Sequence, residues 1–411
     1  MNKAPMAIEQ STKTFSQQRV PAVARAFLAL LARLDHGQLN FTAPDGTRSC
    51  FRGSHSGPQA DLEISDWGVA SAIMRAADVG MAECYRDGRL NTQDLTALLL
   101  LCAANEQALA QRFYAQPLVS MYLRLRHLWR SNTRAQAKRN IAAHYDLSNQ
   151  FYALWLDETM TYSSACFDGD PARPLAAAQE AKYERMLNLV DAQPGQHLLE
   201  VGCGWGGFAE YAVRSRDVRI TGITLSPAQL AFAQARMVRA GIEQQVNLEL
   251  IDYRDLGGQF DHIVSVEMFE AVGERYWRRY FDMLKQRLKP AGRAAVQAIT
   301  IDAEVFERYR RTSDFIREYV FPGGMLAPQE RMAADAAQSG LKLEQADCFG
   351  HDYATTLVLW RERVQAAAAP IRALGFDERF MRLWQFYLCY CEAGFRSGRT
   401  DVVQLAFSHD R

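Results

Sequence analysis

The pattern of apolar and polar positions changes character along the chain. Val20 to Leu34 carries apolar residues at helical spacing and predicts an amphipathic helix. "GQLNFTAPDGTRSCFRG" alternates on either side of Pro44-Asp45-Gly46 and predicts a hairpin, and "ADLEISD" predicts a further strand. Residues 67–104 read as mostly helical, with a break at Asp87-Gly88. After residue 190 the pattern becomes regular. The β-type runs "HLLEVGC", "VRITGITL", "VNLELID", "HIVSVEM" and "RAAVQAITI" alternate with helical stretches, the signature of parallel strands with crossover helices. One helix is clearly punctuated: Ser226 as N-cap, Pro227 in the first turn, Gly241 just beyond the end. The fold class expected is α/β, Rossmann-like with a mostly parallel sheet. A small α+β N-terminal domain (1–115) and a basic helical connector (116–140) would precede the large domain (141–411).

Composition narrows this picture. The chain has 411 residues and 48% hydrophobic content, enough for two packed cores. Net charge is zero, so no global field favours nucleic acid. The charge is uneven, however: Arg124, Arg126, Arg130, Arg134, Lys138 and Arg139 fall in one stretch without an acid. Eight scattered cysteines in a long chain read as reduced thiols in a cytoplasmic setting. The longest apolar run, Leu95 to Ala104, is short of the roughly 20 residues a membrane helix needs, so membrane contact would be peripheral.

The strongest chemical element is "LLEVGCGWGGF", Leu198 to Phe208: a buried strand running into Gly202, Gly204, Gly206 and Gly207, then a helix. Glycines there allow a sharp turn and close approach to a ligand. Glu200 precedes them, where a carboxylate can receive a cationic ligand. A dinucleotide site expects an acid at the end of the second strand. Here "GITLSPAQ" offers the neutral Thr224, Leu225, Ser226 and Gln229. S-adenosylmethionine, which has no phosphate, fits better than a nicotinamide dinucleotide. Asp252, ending the third strand, could accept the adenine amine or merely cap a helix.

With these elements together the chain resembles the cyclopropane-fatty-acyl-phospholipid synthase family. The match is dense over about 141–408: "HYDLSNQFYALWLDETMTYSSACF", "LLEVGCGWGGF", "GITLSPAQ", "DYRDL", "FDHIVSVEMFEAVG", "FPGG", "YATTLVLW" and "LWQFYLCYCEAGF". The resemblance implies a class I methyltransferase that moves a methyl(ene) group from S-adenosylmethionine to a cis double bond of a phospholipid acyl chain. A carbocation forms on the chain, and bound bicarbonate deprotonates it so that a cyclopropane closes. It implies cofactor contacts for Tyr162, Ser163, Glu200, Val201, Gly202, Cys203, Gly204, Trp205, Gly206, Thr224, Leu225, Ser226, Gln229, Tyr253 and Arg254. It implies a bicarbonate cradle of Glu270, Tyr353, the backbone of Ile299, Gln297 in place of a His, and Ser164 in place of a Cys. Ala271 also stands where relatives carry His. These replacements leave methylation without ring closure open, and a small-molecule N-methyltransferase remains the rival reading. Phe306, Phe315, Tyr319 and Phe321 would line the acyl channel, with core packing as the alternative for each. The expected partners are unsaturated phospholipids and an anionic membrane surface at the inner face of the membrane, with no nucleic acid; a homodimer stays open. No metal site is expected: Cys348, His351, Cys389 and Cys391 lie at unsuitable spacing. Cys166 reads as pocket lining or core rather than as a nucleophile.

Overall fold

The computed structural model describes residues 20–106 and 147–410. The expected basic connector, and the His144–Asp146 pair of "HYDLSN", lie outside the described residues. Two compact units divide the chain between Val119 and Ser120.

In the first unit, β1 (His36–Thr42), β2 (Arg48–Arg52), β3 (His55–Ile64) and β4 (Leu90–Asn91) form a sheet in the order β2-β1-β3-β4. The hairpin turns where expected: the Asp45 carboxylate accepts from the Thr47 amide at 2.9 Å, and Gly46 takes a φ of 81°. Helices Ala22–Leu31, Gly68–Arg86 and Leu95–Ala104 accompany the sheet. The long one ends at Arg86, as its Asp87-Gly88 break predicts. It is also broken at Ala76-Ala77, where Ala77 has a φ of 46° that no sequence pattern foretold.

The second unit is an open seven-stranded sheet of β5 (His197–Val201), β6 (Arg219–Thr224), β7 (Val246–Leu250), β8 (Phe260–Val266), β9 (Leu288–Ile301), β10 (Leu341–Cys348) and β11 (Thr400–His409). The order is β10-β11-β9-β8-β5-β6-β7. Only β11 runs against its neighbours. This is the Rossmann-like, mostly parallel sheet that the alternating pattern predicts.

Neighbouring side chains on a strand point to opposite faces. Leu199, Ile263 and Val296 therefore pack with the helices Trp277–Arg287 and Gln329–Gln338, whereas Leu198, Val264 and Ala295 pack with Leu175–Val190, Gly207–Arg216 and Pro227–Ala240. Both faces are covered, which is why the strands read as continuous apolar runs. The chain order reverses between β5 and β8, leaving a crevice at their carboxyl ends, where such sheets bind ligands. Among the described residues no helix is long and apolar enough to cross a membrane.

Candidate functional site

The glycine loop leaves β5 at that crevice. The amides of Gly202 and Cys203 both donate to the Ile223 carbonyl, at 3.0 and 2.9 Å, tying the turn to β6. Gly202, Gly204 and Gly206 have φ values of 88°, 49° and 80°, a region that side-chain-bearing residues resist. A Cβ on Gly202 would also meet Met268 at about 3.0 Å, whereas one on Gly204 would meet nothing within 4 Å. The loop thus packs tightly on one side and stays open at Gly204. Val201 and Cys203 are buried, and Trp205 donates to the Asn149 side chain at 2.8 Å.

Glu200 is 4% exposed, and its Oε2 has no hydrogen-bond partner among the described residues. Burial lifts its pKa to about 8 against the opposing pull of Arg236 and Lys182. A buried carboxylate oxygen awaiting a partner at the end of β5 suits an ammonium-bearing nucleoside. At the end of β6, Thr224, Ser226 and Gln229 form a closed set. The Thr224 hydroxyl donates to Gln229 Oε1 at 3.1 Å and receives the Ser226 amide at 3.1 Å, while Ser226 Oγ receives the Gln229 amide at 3.3 Å. Leu225 lies within that turn. Asp252 does cap a turn at the end of β7, one of the two roles weighed for it. The turn is Tyr253–Asp255, and Arg254 grips both Asp252 oxygens, at 2.8 and 2.5 Å. The Arg254 guanidinium lies over the Tyr253 and Tyr276 rings.

Opposite the loop runs Met160 to Phe167. The Tyr162 hydroxyl pairs with the Tyr387 hydroxyl at 2.7 Å, and its ring packs 5.3 Å from Trp360, 5.5 Å from Trp155 and 6.4 Å from Phe321. Ser163 is pinned from the helix Leu175–Val190: its hydroxyl accepts from Lys182 Nζ at 2.7 Å and its carbonyl from Gln179 Nε2 at 2.9 Å. Lys182 is fully buried, and desolvation lowers its pKa to about 7. Cys166 is buried, with its pKa pushed to about 11, as expected of a thiol that packs rather than attacks.

The residues expected to cradle bicarbonate do converge, but on a carboxylate that the sequence reading overlooked. Glu267 Oε1 accepts from the Ser164 amide at 2.8 Å and from Gln297 Nε2 at 2.8 Å; its Oε2 accepts from the Tyr353 hydroxyl at 2.7 Å. Gln404 fixes the orientation of Gln297 by donating to its Oε1 at 2.9 Å. The remaining donor, the Ile299 amide, goes to Glu270 Oε1 at 2.5 Å. Every donor expected for the anion is therefore engaged by one of two carboxylates. The donors that Ser164, Gln297 and Tyr353 would offer an external anion go to the Glu267 carboxylate, which would also meet a bicarbonate as like charge, so the residues present fit a captured bicarbonate poorly. Burial and the neighbouring Glu267 raise the Glu270 pKa to about 8, and its Oε2 has no partner among the described residues. Burial also raises Glu267, but three hydrogen bonds and the Lys182 charge oppose it. The arrangement favours Glu267 as the ion and Glu270 as the acid. The overlooked signal was the first Glu of "VEMFE", three places before Glu270.

The expected channel residues separate. Phe321 faces the Tyr162 ring and packs 6.2 Å from Tyr387. Phe315 and Tyr319 stack at 5.8 Å, and Phe315 lies 4.8 Å from Phe386. Phe306 instead packs 6.1 Å from Trp277 in the core beside the sheet, the alternative weighed for it. Ile316–Val320 forms a π-helical turn, a rare geometry that frequently marks functional sites.

Comparison with known proteins identifies the relatives of this arrangement. The mycolic acid cyclopropane synthetase family profile matches residues 132–405. The chain is 39% identical to the tuberculostearic acid methyltransferase UfaA1 of Mycobacterium tuberculosis over 98% of its own length and 97% of the relative's. It is 33% identical to the cyclopropane-fatty-acyl-phospholipid synthase of Escherichia coli K12 over 85% and 88%. Among solved structures, mycolic acid cyclopropane synthase CmaA1 complexed with SAH and CTAB superposes with a TM-score of 0.62 at 32% identity, covering 66% of this chain and 97% of that one. These likenesses agree with the glycine loop and the unpartnered Glu200 oxygen: the site is that of an S-adenosylmethionine-dependent methyltransferase of the cyclopropane synthase type.

Proposed function

Because the chain belongs to the mycolic acid cyclopropane synthetase family of S-adenosylmethionine-dependent methyltransferases, we propose that it adds a one-carbon unit to a cis double bond in a phospholipid acyl chain. Bound against the glycine loop, Glu200 and Ser163, S-adenosylmethionine supplies an electrophilic sulfonium methyl. Alkylation of the alkene leaves a positive charge on the neighbouring carbon. The observation that carries this reading is the aromatic group around Tyr162, with Trp155, Trp360 and Phe321, beside the buried Glu267–Glu270 pair. Aromatic faces stabilise a cation without trapping it, and their bulk excludes water that would quench it. Tyr353, stacked at 4.4 Å on Phe395, links this apolar wall to the carboxylate.

We propose ring closure to a cyclopropane as the outcome. A second reading, methylation without ring closure, is favoured by one observation: at 39% identity this chain follows a tuberculostearic acid methyltransferase over nearly its full length. Which proton leaves the cation decides between them. An acyl substrate also requires docking at a bilayer, and the basic residues between Arg124 and Arg139 suit anionic headgroups at about 1 kcal/mol each near such a surface.

The test incubates the protein with labelled S-adenosylmethionine, unsaturated phospholipid vesicles and a panel of soluble amines. Label in the acyl chains is expected. Label confined to the amines would replace this reading with an N-methyltransferase.

A further inference from the structure

We infer that the Glu267 carboxylate itself accepts the proton released in the reaction, so that the chain works without a captured bicarbonate. The inference rests on the acyl-alkylation reading above. Three observations carry it. Donors from three separate elements meet on this one side chain: the Ser164 amide from the segment crossing the site, Gln297 from β9, and Tyr353 from the helix Gly350–Ala366. All three are neutral. They hold the carboxylate in place and leave its charge to act, where a bidentate arginine would compensate it, as Arg254 does for Asp252.

Second, Glu267 has a φ of 49°, a conformation that a glutamate adopts only when its surroundings impose it. Glycine would adopt it without strain. The position just past β8 therefore places a costly side chain where a small one would suit the backbone. Third, the adjacent Met268 abuts Gly202, so Glu267 stands beside the cofactor loop at the crevice between β5 and β8.

The step balances without a further reactant. A C–H bond of the newly attached carbon breaks, its electron pair closes the bond to the cationic carbon, and the proton goes to a Glu267 oxygen. In the open-chain outcome the same oxygen takes a proton from a neighbouring carbon, and the electron pair forms an alkene. Tyr353 and Gln297 orient the acceptor.

The test measures turnover on unsaturated phospholipid vesicles in carbonate-free buffer, with and without added bicarbonate, for three proteins. Wild type is expected to turn over equally in both. Glu267→Gly, which suits the backbone, is expected to lose about a hundredfold or more and to regain activity with bicarbonate. Glu267→Gln, whose amide still fills the space, is expected to stay inactive in both. Infrared difference spectra with carbon-13 bicarbonate give a readout apart from activity: a bound carbonate band in Glu267→Gly and none in wild type. Wild-type activity that rises several-fold with bicarbonate, a bound band in wild type, or a Glu267→Gly protein with full activity in carbonate-free buffer would overturn the inference. If wild type alkylates no lipid while still binding the cofactor, the functional reading fails instead.

Discussion

Cofactor binding should release a proton from Glu200, and the size of the effect follows from its surroundings. Without ligand the carboxyl is buried with one bare oxygen, and its pKa is raised from 4.5 to about 8. At pH 7 it is therefore about nine-tenths protonated. A cationic ligand group needs the carboxylate, so binding pulls the pKa down and expels about 0.9 proton at pH 7, falling toward none above pH 9. The sign is fixed: affinity rises with pH and levels off once pH passes about 8. From pH 7 to that plateau the gain is about 1.4 kcal/mol, roughly tenfold in Kd. Calorimetry in buffers of different ionisation enthalpy reads the proton count directly. Glu200→Gln serves as control, because it subtracts any titration of the ligand's own amine. Equal proton release by wild type and Glu200→Gln would refute the reasoning, as would affinity that falls with pH in wild type alone.

Other substitutions separate the roles in the carboxylate pocket. Tyr353→Phe removes one of three donors on Glu267, a loss of about 1–2 kcal/mol in holding the anion, and steady-state kinetics should show turnover lowered roughly tenfold with cofactor affinity kept. Glu270→Gln exchanges an acid held neutral at pH 7 for an amide of the same shape, so turnover should fall less than in Glu267→Gln; the reverse order would show that Glu270 is the working anion. Ser164→Cys should leave turnover near wild type, because the residue reaches Glu267 through its backbone amide. Trp155→Ala empties a buried site between Phe151, Tyr162 and Trp360 and should cost about 3–5 kcal/mol in urea unfolding.

Much of this was legible in the sequence for physical reasons. Parallel strands covered on both faces must be largely apolar, so the central strands β5, β6 and β8 announced themselves as runs, whereas the edge strand β7 is only partly buried. Ser226, Pro227 and Gly241 marked a helix because its ends have unmet backbone groups. The glycines before Gly207 were readable because few other residues tolerate such φ values. What sequence could not supply was convergence. Ser164, Gln297 and Tyr353 are separated by 133 and 56 positions in the chain, and only the folded sheet brings them to one oxygen pair. A resemblance that assigns donors to an external anion also hides a side chain that takes the anion's place. Phe306 shows the same limit. Its residue type suited two roles, and the partner that sets it in the core, Trp277, was visible only in the fold.

The most direct measurement is mass spectrometry of phospholipid exposed to the purified protein and methyl-labelled S-adenosylmethionine. Chemical derivatisation or fragmentation then locates the added carbon. Labelled acyl chains are expected to gain one carbon at the site of the former double bond, as a ring or a branched alkene. Unchanged acyl chains, with label appearing only in water-soluble products, would contradict this expectation.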